Sequence, residues 1–187
     1  MAVSRSFTLV FTALLAAASC GEEPPPDIAT VTAPVGTAPD LAALEPNATI
    51  ERVVDGDTII AQINGQRERV RLLGIDTPES VAQTRPDQCF GAEASLYLQS
   101  LLPEGTAITL IRDQEARDQY DRLLAYVVRS HDQLFINLDL LEKGYAGILI
   151  YPPNDHYADL FTATERTAAS NDVGLWGVCG GPDVPLE

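Results

Sequence analysis

Apolar and polar positions change rhythm several times along this chain. Ile50 to Val54 reads as a short apolar strand, and Thr58 to Ile63 as a second. Asn64-Gly65 follows, and then a run from Gln66 to Ile75. Two β-rich runs flanking Asn-Gly are a strong hairpin signal, because both residues tolerate the positive φ of a tight turn. Thr77-Pro78 breaks the third strand, since proline restricts the residue before it and brings no N–H. Gln83 to Gln88 is polar and loop-like. Phe90 to Leu102 carries Ala92, Ala94, Leu96, Leu98, Leu101 and Leu102 and is closed by Pro103, which predicts a helix. Ala107 to Arg112 and Leu123 to Arg129 are β-rich, joined by the charged loop from Asp113 to Arg122. Phe135 to Ala146, with Leu138, Leu140, Leu141 and Tyr145, predicts a second helix ending at Gly147. Asp159 to Ser170 predicts a third, stopped by Asn171-Asp172.

The order is five strands, with one helix between the third and fourth and two more at the end. A small strand set with a helix inserted after strand three predicts an α+β fold, a five-stranded OB-type β-barrel with three helices. A generic α+β sandwich is the alternative.

The first 47 residues have a different character. Arg5 followed by the apolar run Phe7 to Ala18 reads as an export signal spanning residues 1–19. The run ends in Ala16-Ala17-Ala18-Ser19-Cys20, which resembles a bacterial lipobox with Cys20 as the lipidated residue. An ordinary cleaved signal, with Cys20 incidental, is the rival reading. Residues 20–47, rich in Pro, Ala and Thr, read as a disordered tether. The folded domain is expected over residues 48–187. The expected location is therefore outside the cytoplasm, either anchored to a membrane through the N-terminal lipid or secreted. If Cys20 carries lipid, Cys89 and Cys179 remain as an even pair in an exported chain, which favours a disulfide over two unrelated thiols.

The 187 residues include 12 basic and 27 acidic side chains, a net charge of −15. From Ala48 onward the chain holds 11 basic and 22 acidic residues, so the excess belongs to the domain. Such a balance argues against tight passive binding to nucleic acid, where affinity comes mainly from Lys and Arg. It leaves room for an enzyme that meets phosphate through a local arginine cluster and a metal ion.

Three segments place polar residues beside apolar strands. In Val53-Val54-Asp55-Gly56-Asp57-Thr58-Ile59, Asp57 is in phase with Ile59, Ala61 and Ile63 and so belongs on the core side, at a barrel mouth. In Val70-Arg71-Leu72-Leu73-Gly74-Ile75-Asp76-Thr77-Pro78-Glu79, Arg71 and Asp76 would face opposite ways on a regular strand. Gly74 permits a bulge that brings them to one side. The third segment is Asp118-Gln119-Tyr120-Asp121-Arg122.

Together these segments resemble the staphylococcal nuclease family, over about Ile50 to Trp176. Phe90-Gly91-Ala92-Glu93-Ala94, Asn137-Leu138, Lys143-Gly144, Tyr151-Pro152-Pro153-Asn154 and Gly174-Leu175-Trp176 add to the likeness. The resemblance implies that Asp57, Asp76 and the Thr77 carbonyl hold a calcium ion. It implies that Glu79 positions or activates the attacking water, that Arg71 and Arg122 bind the phosphate, and that Tyr120 and Tyr151 lie near the nucleotide. The implied activity is Ca2+-dependent endonucleolytic hydrolysis of DNA, single- or double-stranded, and of RNA, with little sequence preference and 3′-phosphate products. A monomer is expected. The competing reading is an OB-type module of weak or no activity, binding nucleic acid or protein on an envelope lipoprotein.

Taken singly, each residue has an ordinary structural explanation. Asp55 and Asp57 suit a turn, Arg71 suits an ion pair with Glu68 or Glu93, and Arg122 suits one with Asp118 or Asp121.

Overall fold

The structure is a computed structural model that describes residues 25–31, 39–80 and 87–186. The proposed export signal, Cys20, part of the tether and part of the loop before Gln88 lie outside the described residues.

In chain order the elements are β1 (Ala29–Thr30), a 3-10 turn (Leu41–Ala43), β2 (Ala48–Val53), β3 (Thr58–Ile63), β4 (Gln66–Leu72) and β5 (Gly74–Asp76). There follow α1 (Gly91–Leu101), β6 (Ala107–Arg112), β7 (Leu123–Arg129), β8 (Leu134–Phe135), α2 (Ile136–Glu142), β9 (Gly147–Leu149), α3 (Ala158–Ser170) and α4 (Leu175–Val178). Strands pair in the order β6-β2-β3-β4-β7, and β6 pairs again with β7, which closes a five-stranded barrel. All neighbours are antiparallel except β4 and β7. This is the expected α+β barrel of OB type. Closure leaves the five strands without a free edge in most of their length and buries Ile59, Ala61, Ile63, Val70, Leu72, Leu110, Ala125 and Val127 inside.

The hairpin forms around Asn64-Gly65, with Ile63 opposite Gln66 and both turn residues at positive φ. The third strand differs from its expected extent. It stops at Leu72 and resumes as β5, which leaves the barrel and pairs with β9. Gly74, at φ +77°, makes the break. A Cβ at Gly74 would also stand 2.6 Å from the Phe161 ring, so α3 can sit against the break only because the side chain is missing.

The second helix is shorter than its apolar pattern suggests. Leu134–Phe135 pairs with β7 as β8 before α2 begins, and the helix ends at Glu142. Asn137 on α2 is fully buried; its Nδ2 donates to the Leu73 carbonyl at 2.8 Å, and its Oδ1 accepts from the Val127 N–H at 2.9 Å.

Part of the stretch read as a tether is docked. Ala29 and Thr30 run parallel to β6, opposite Ile111 and Arg112, and Ile28 joins the buried core. The physical reason lies in β6: β2 pairs only with Ala107 and Ile108, so the strand edge beyond needs partners. Asn47 serves the same edge, exchanging hydrogen bonds between its amide and the backbone of Leu110 at 2.8 and 2.9 Å.

Candidate active site

Asp57 sits at the start of β3, where the Asp-Gly-Asp turn delivers the chain into the barrel. The Asp55 carboxylate accepts the Asp57 N–H at 3.2 Å, an Asx turn that fixes this entry. Asp57 is 7 % exposed. Its Oδ2 accepts from the Thr77 N–H at 3.2 Å and the Thr77 hydroxyl at 3.3 Å, and its Oδ1 from the Thr58 hydroxyl at 2.9 Å. Gly56 lets Thr77 come this close, since a Cβ there would lie 2.5 Å from Oγ1.

The break at Leu73–Gly74 then does what an unbroken strand cannot. Arg71, on β4, pairs through Nη1 with Asp57 at 2.7 Å and through Nη2 with Asp76, on β5, at 2.5 Å. One guanidinium therefore bridges both carboxylates. Burial pushes the Asp76 carboxyl up to about 6 against the attraction of Arg71, with Asp57, Asp183 and Glu79 adding repulsion. Burial and the Asp57 charge push Asp55 up to about 6 as well. The cluster is short of positive charge.

Arg122 enters from the loop before β7. Asp118 accepts its N–H at 3.0 Å and its Nε at 2.7 Å, which leaves the two terminal amino groups of the guanidinium for a ligand. Tyr120 lies beside it, with the Arg122 guanidinium 5.5 Å from the ring centre. Arg117, from the same loop, is bidentate to Glu68 on β4, so Glu68 is not the partner of Arg71.

Asp55, Asp57, Arg71, Asp76, Glu79, Tyr120, Arg122 and Tyr151 line one cleft of about 860 Å³ at the barrel mouth. Tyr120 and Tyr151 are 70 % and 69 % exposed, aromatic side chains presented to solvent in the same cleft as the charged cluster. Thr77 lies behind the wall, held to Asp57. Every described residue expected at the site thus comes together, from chain positions that run from Asp57 to Tyr151. The disulfide expected between Cys89 and Cys179 is present.

The donor set suits a hard divalent cation. Among the described residues, no three His, Cys, Asp or Glu side chains form a metal cage on their own. Asp57 and Asp76 are hard oxygen donors in a cluster with excess negative charge, the chemistry such a cation takes.

Residues 69–178 match the family described as Staphylococcal nuclease homologue. The chain belongs to this family. As a staphylococcal nuclease homologue it has relatives of substantial identity. It is 41 % identical over 127 residues to a thermonuclease of Staphylococcus intermedius, covering 68 % of this chain and 74 % of that protein. It is 36 % identical over 135 residues to Endonuclease YncB of Bacillus subtilis (strain 168), covering 72 % of this chain and 63 % of that protein. It is 33 % identical over 134 residues to a thermonuclease of Staphylococcus hyicus, covering 72 % and 78 %.

One member of the site escaped the sequence reading, and two more were read there only for a structural role that they do have. Asp118 fixes Arg122 and stood there only as one of two candidate surface partners. Asp55 contributes charge to the cleft as well as making the turn. Gln88 bonds to the backbone of Glu79 from beyond the loop. Asp-Gly-Asp spacing signals Asp55 weakly, and no local pattern signals Gln88.

Proposed function

We propose that this staphylococcal nuclease homologue is a Ca2+-dependent phosphodiesterase that cuts DNA, single- or double-stranded, and RNA with little sequence preference. The observation that carries this is the double ion pair of Arg71 with Asp57 and Asp76 on the floor of a cleft that also holds Glu79 and Arg122. Relatives named as thermonuclease and endonuclease support it.

In this reading Asp57, Asp76 and the Thr77 carbonyl hold the cation. When bound, it supplies charge neutralisation and Lewis acidity at the scissile phosphate. Glu79 takes a proton from the attacking water. Arg71 and Arg122 donate to phosphate oxygens as charge accumulates on them in the transition state, where each donor contributes most. Asp118, by occupying the Arg122 Nε, fixes the direction from which the terminal nitrogens approach. Tyr120 and Tyr151 offer stacking faces that any base satisfies, which suits low sequence preference. With 11 basic and 22 acidic residues from Ala48 onward, the domain as a whole repels a polyanion, so attraction rests on the cation and the arginines of the cleft.

The products carry 3′-phosphate ends, and the protein works outside the cytoplasm, exported and held to a membrane through lipid on Cys20. A 5′-labelled oligonucleotide digested with Ca2+ tests the chemistry. Fragments that a polymerase extends only after phosphatase treatment are expected; fragments extended directly would contradict the stated polarity.

A further inference from the structure

Glu79 is held by its backbone, and both of its backbone polar groups go to one residue. The Glu79 N–H donates to Gln88 Oε1 at 2.7 Å, and the Gln88 N–H donates to the Glu79 carbonyl at 2.8 Å. Gln88 Nε2 donates in turn to the Asp183 carboxylate at 3.2 Å. An ionised carboxylate only accepts, so Asp183 selects which end of the amide faces Glu79.

Gln88 is itself clamped by the end of the chain. It bridges to Pro185, the Cys89 N–H donates to the Val184 carbonyl at 2.7 Å, and the Leu186 N–H donates to the Asp87 carbonyl at 3.0 Å. The Cys89–Cys179 disulfide anchors this tail beside Gln88. Gly91 completes the seat: a Cβ there would stand 2.6 Å from the Glu79 carbonyl oxygen.

We infer that Gln88 is a positioning residue for Glu79, and that the tail from Cys179 to Leu186 is a strap that keeps Gln88 in place. The inference rests on the proposed role of Glu79 towards the attacking water. Displacing a reacting group by about 1 Å can cost about 100-fold in rate. The hydrogen bonds of Gln88 to Glu79 go to the backbone, and Gln88 is not among the residues that line the cleft, so its loss falls on kcat and leaves KM alone.

The test uses the full chain with Ca2+ and a short DNA substrate. It compares wild type with Gln88→Ala, with Cys89→Ser/Cys179→Ser, and with the exchange Gln88→Glu/Asp183→Asn. The exchange keeps net charge and an acceptor for the Glu79 N–H while reversing donor and acceptor between the two positions. Expected are a kcat loss of roughly 100-fold in Gln88→Ala at unchanged KM, faster hydrogen exchange of the Glu79 amide, a smaller loss in the disulfide variant, and recovery of most of the rate in the exchange variant. An unchanged kcat in Gln88→Ala, a loss confined to KM, or a Glu79 amide that exchanges as in wild type would overturn the inference while wild type still cleaves. A wild-type chain that does not cleave would overturn both the inference and the function on which it rests.

Discussion

Asn137 donates from its buried amide to the carbonyl of Leu73, at 2.8 Å. Leu73 is the residue at which the third barrel strand breaks, and a break strands backbone groups that a continuous ladder would have paired. The other end of the same amide takes the Val127 N–H, so one side chain ties the break to β7. Asn137→Ala leaves both backbone groups buried without these partners, at about 1–3 kcal/mol each. A loss of about 2–6 kcal/mol is expected by urea unfolding. A variant as stable as wild type would mean that the break is held some other way.

Gly74 makes the same break from the backbone side. At φ +77° an L side chain is strained, and the Phe161 ring stands where its Cβ would go. Gly74→Ala is expected to cost at least about 1–2 kcal/mol from the backbone alone. Because Arg71 and Asp76 meet across this break, the variant also loses activity at a temperature where it remains folded. Measured stability and rate both equal to wild type would contradict this account of the site's geometry.

The five barrel strands and the helices α1 to α3 were legible because their cause is local, whereas β1, β8, β9 and α4 were not. Strand alternation, the Asn64-Gly65 turn and the Pro103 stop each act over a few residues. The phase of Asp57 with Ile59 and Ile63 correctly set it at the mouth. Gly74 likewise signalled that Arg71 and Asp76 could meet, although the bulge expected there is a full break with β5 in a second sheet. The break was hidden because β9, the partner of β5, reads in sequence only as the residues after a helix. The docking of Ala29 and Thr30 was hidden for a similar reason. Composition shows that a stretch cannot form a core alone, and says nothing of an open strand edge on the neighbouring barrel. Gln88 acts through Asp183 and the segment after Cys179, which only the fold brings near, whereas Asp118 and Arg122 are four residues apart and their pairing was legible in the sequence.

Of the four arginines that line the cleft, Arg69, Arg71, Arg117 and Arg122, the account gives phosphate contacts to Arg71 and Arg122. Each phosphate contact contributes about 0.9 to the slope of log affinity against log salt on duplex DNA. The acidic domain provides few further contacts, so the slope for duplex binding is expected near −2, and Arg122→Ala is expected to reduce it by about 1. Binding measured under non-cleaving conditions over a salt series checks this. A slope several units steeper would reveal phosphate contacts beyond Arg71 and Arg122, such as Arg69 in the same cleft.

The most direct test of the central claim is the rate of DNA hydrolysis by the full chain with Ca2+, beside the same protein with chelator and beside Glu79→Ala and Arg122→Ala. The account predicts cleavage that needs Ca2+ and falls by about 100–1,000-fold when the Arg122 donor is removed, with a comparable loss in Glu79→Ala. A folded chain that binds Ca2+ and does not cleave at low salt, or one that cleaves equally well without Glu79 and Arg122, would contradict it.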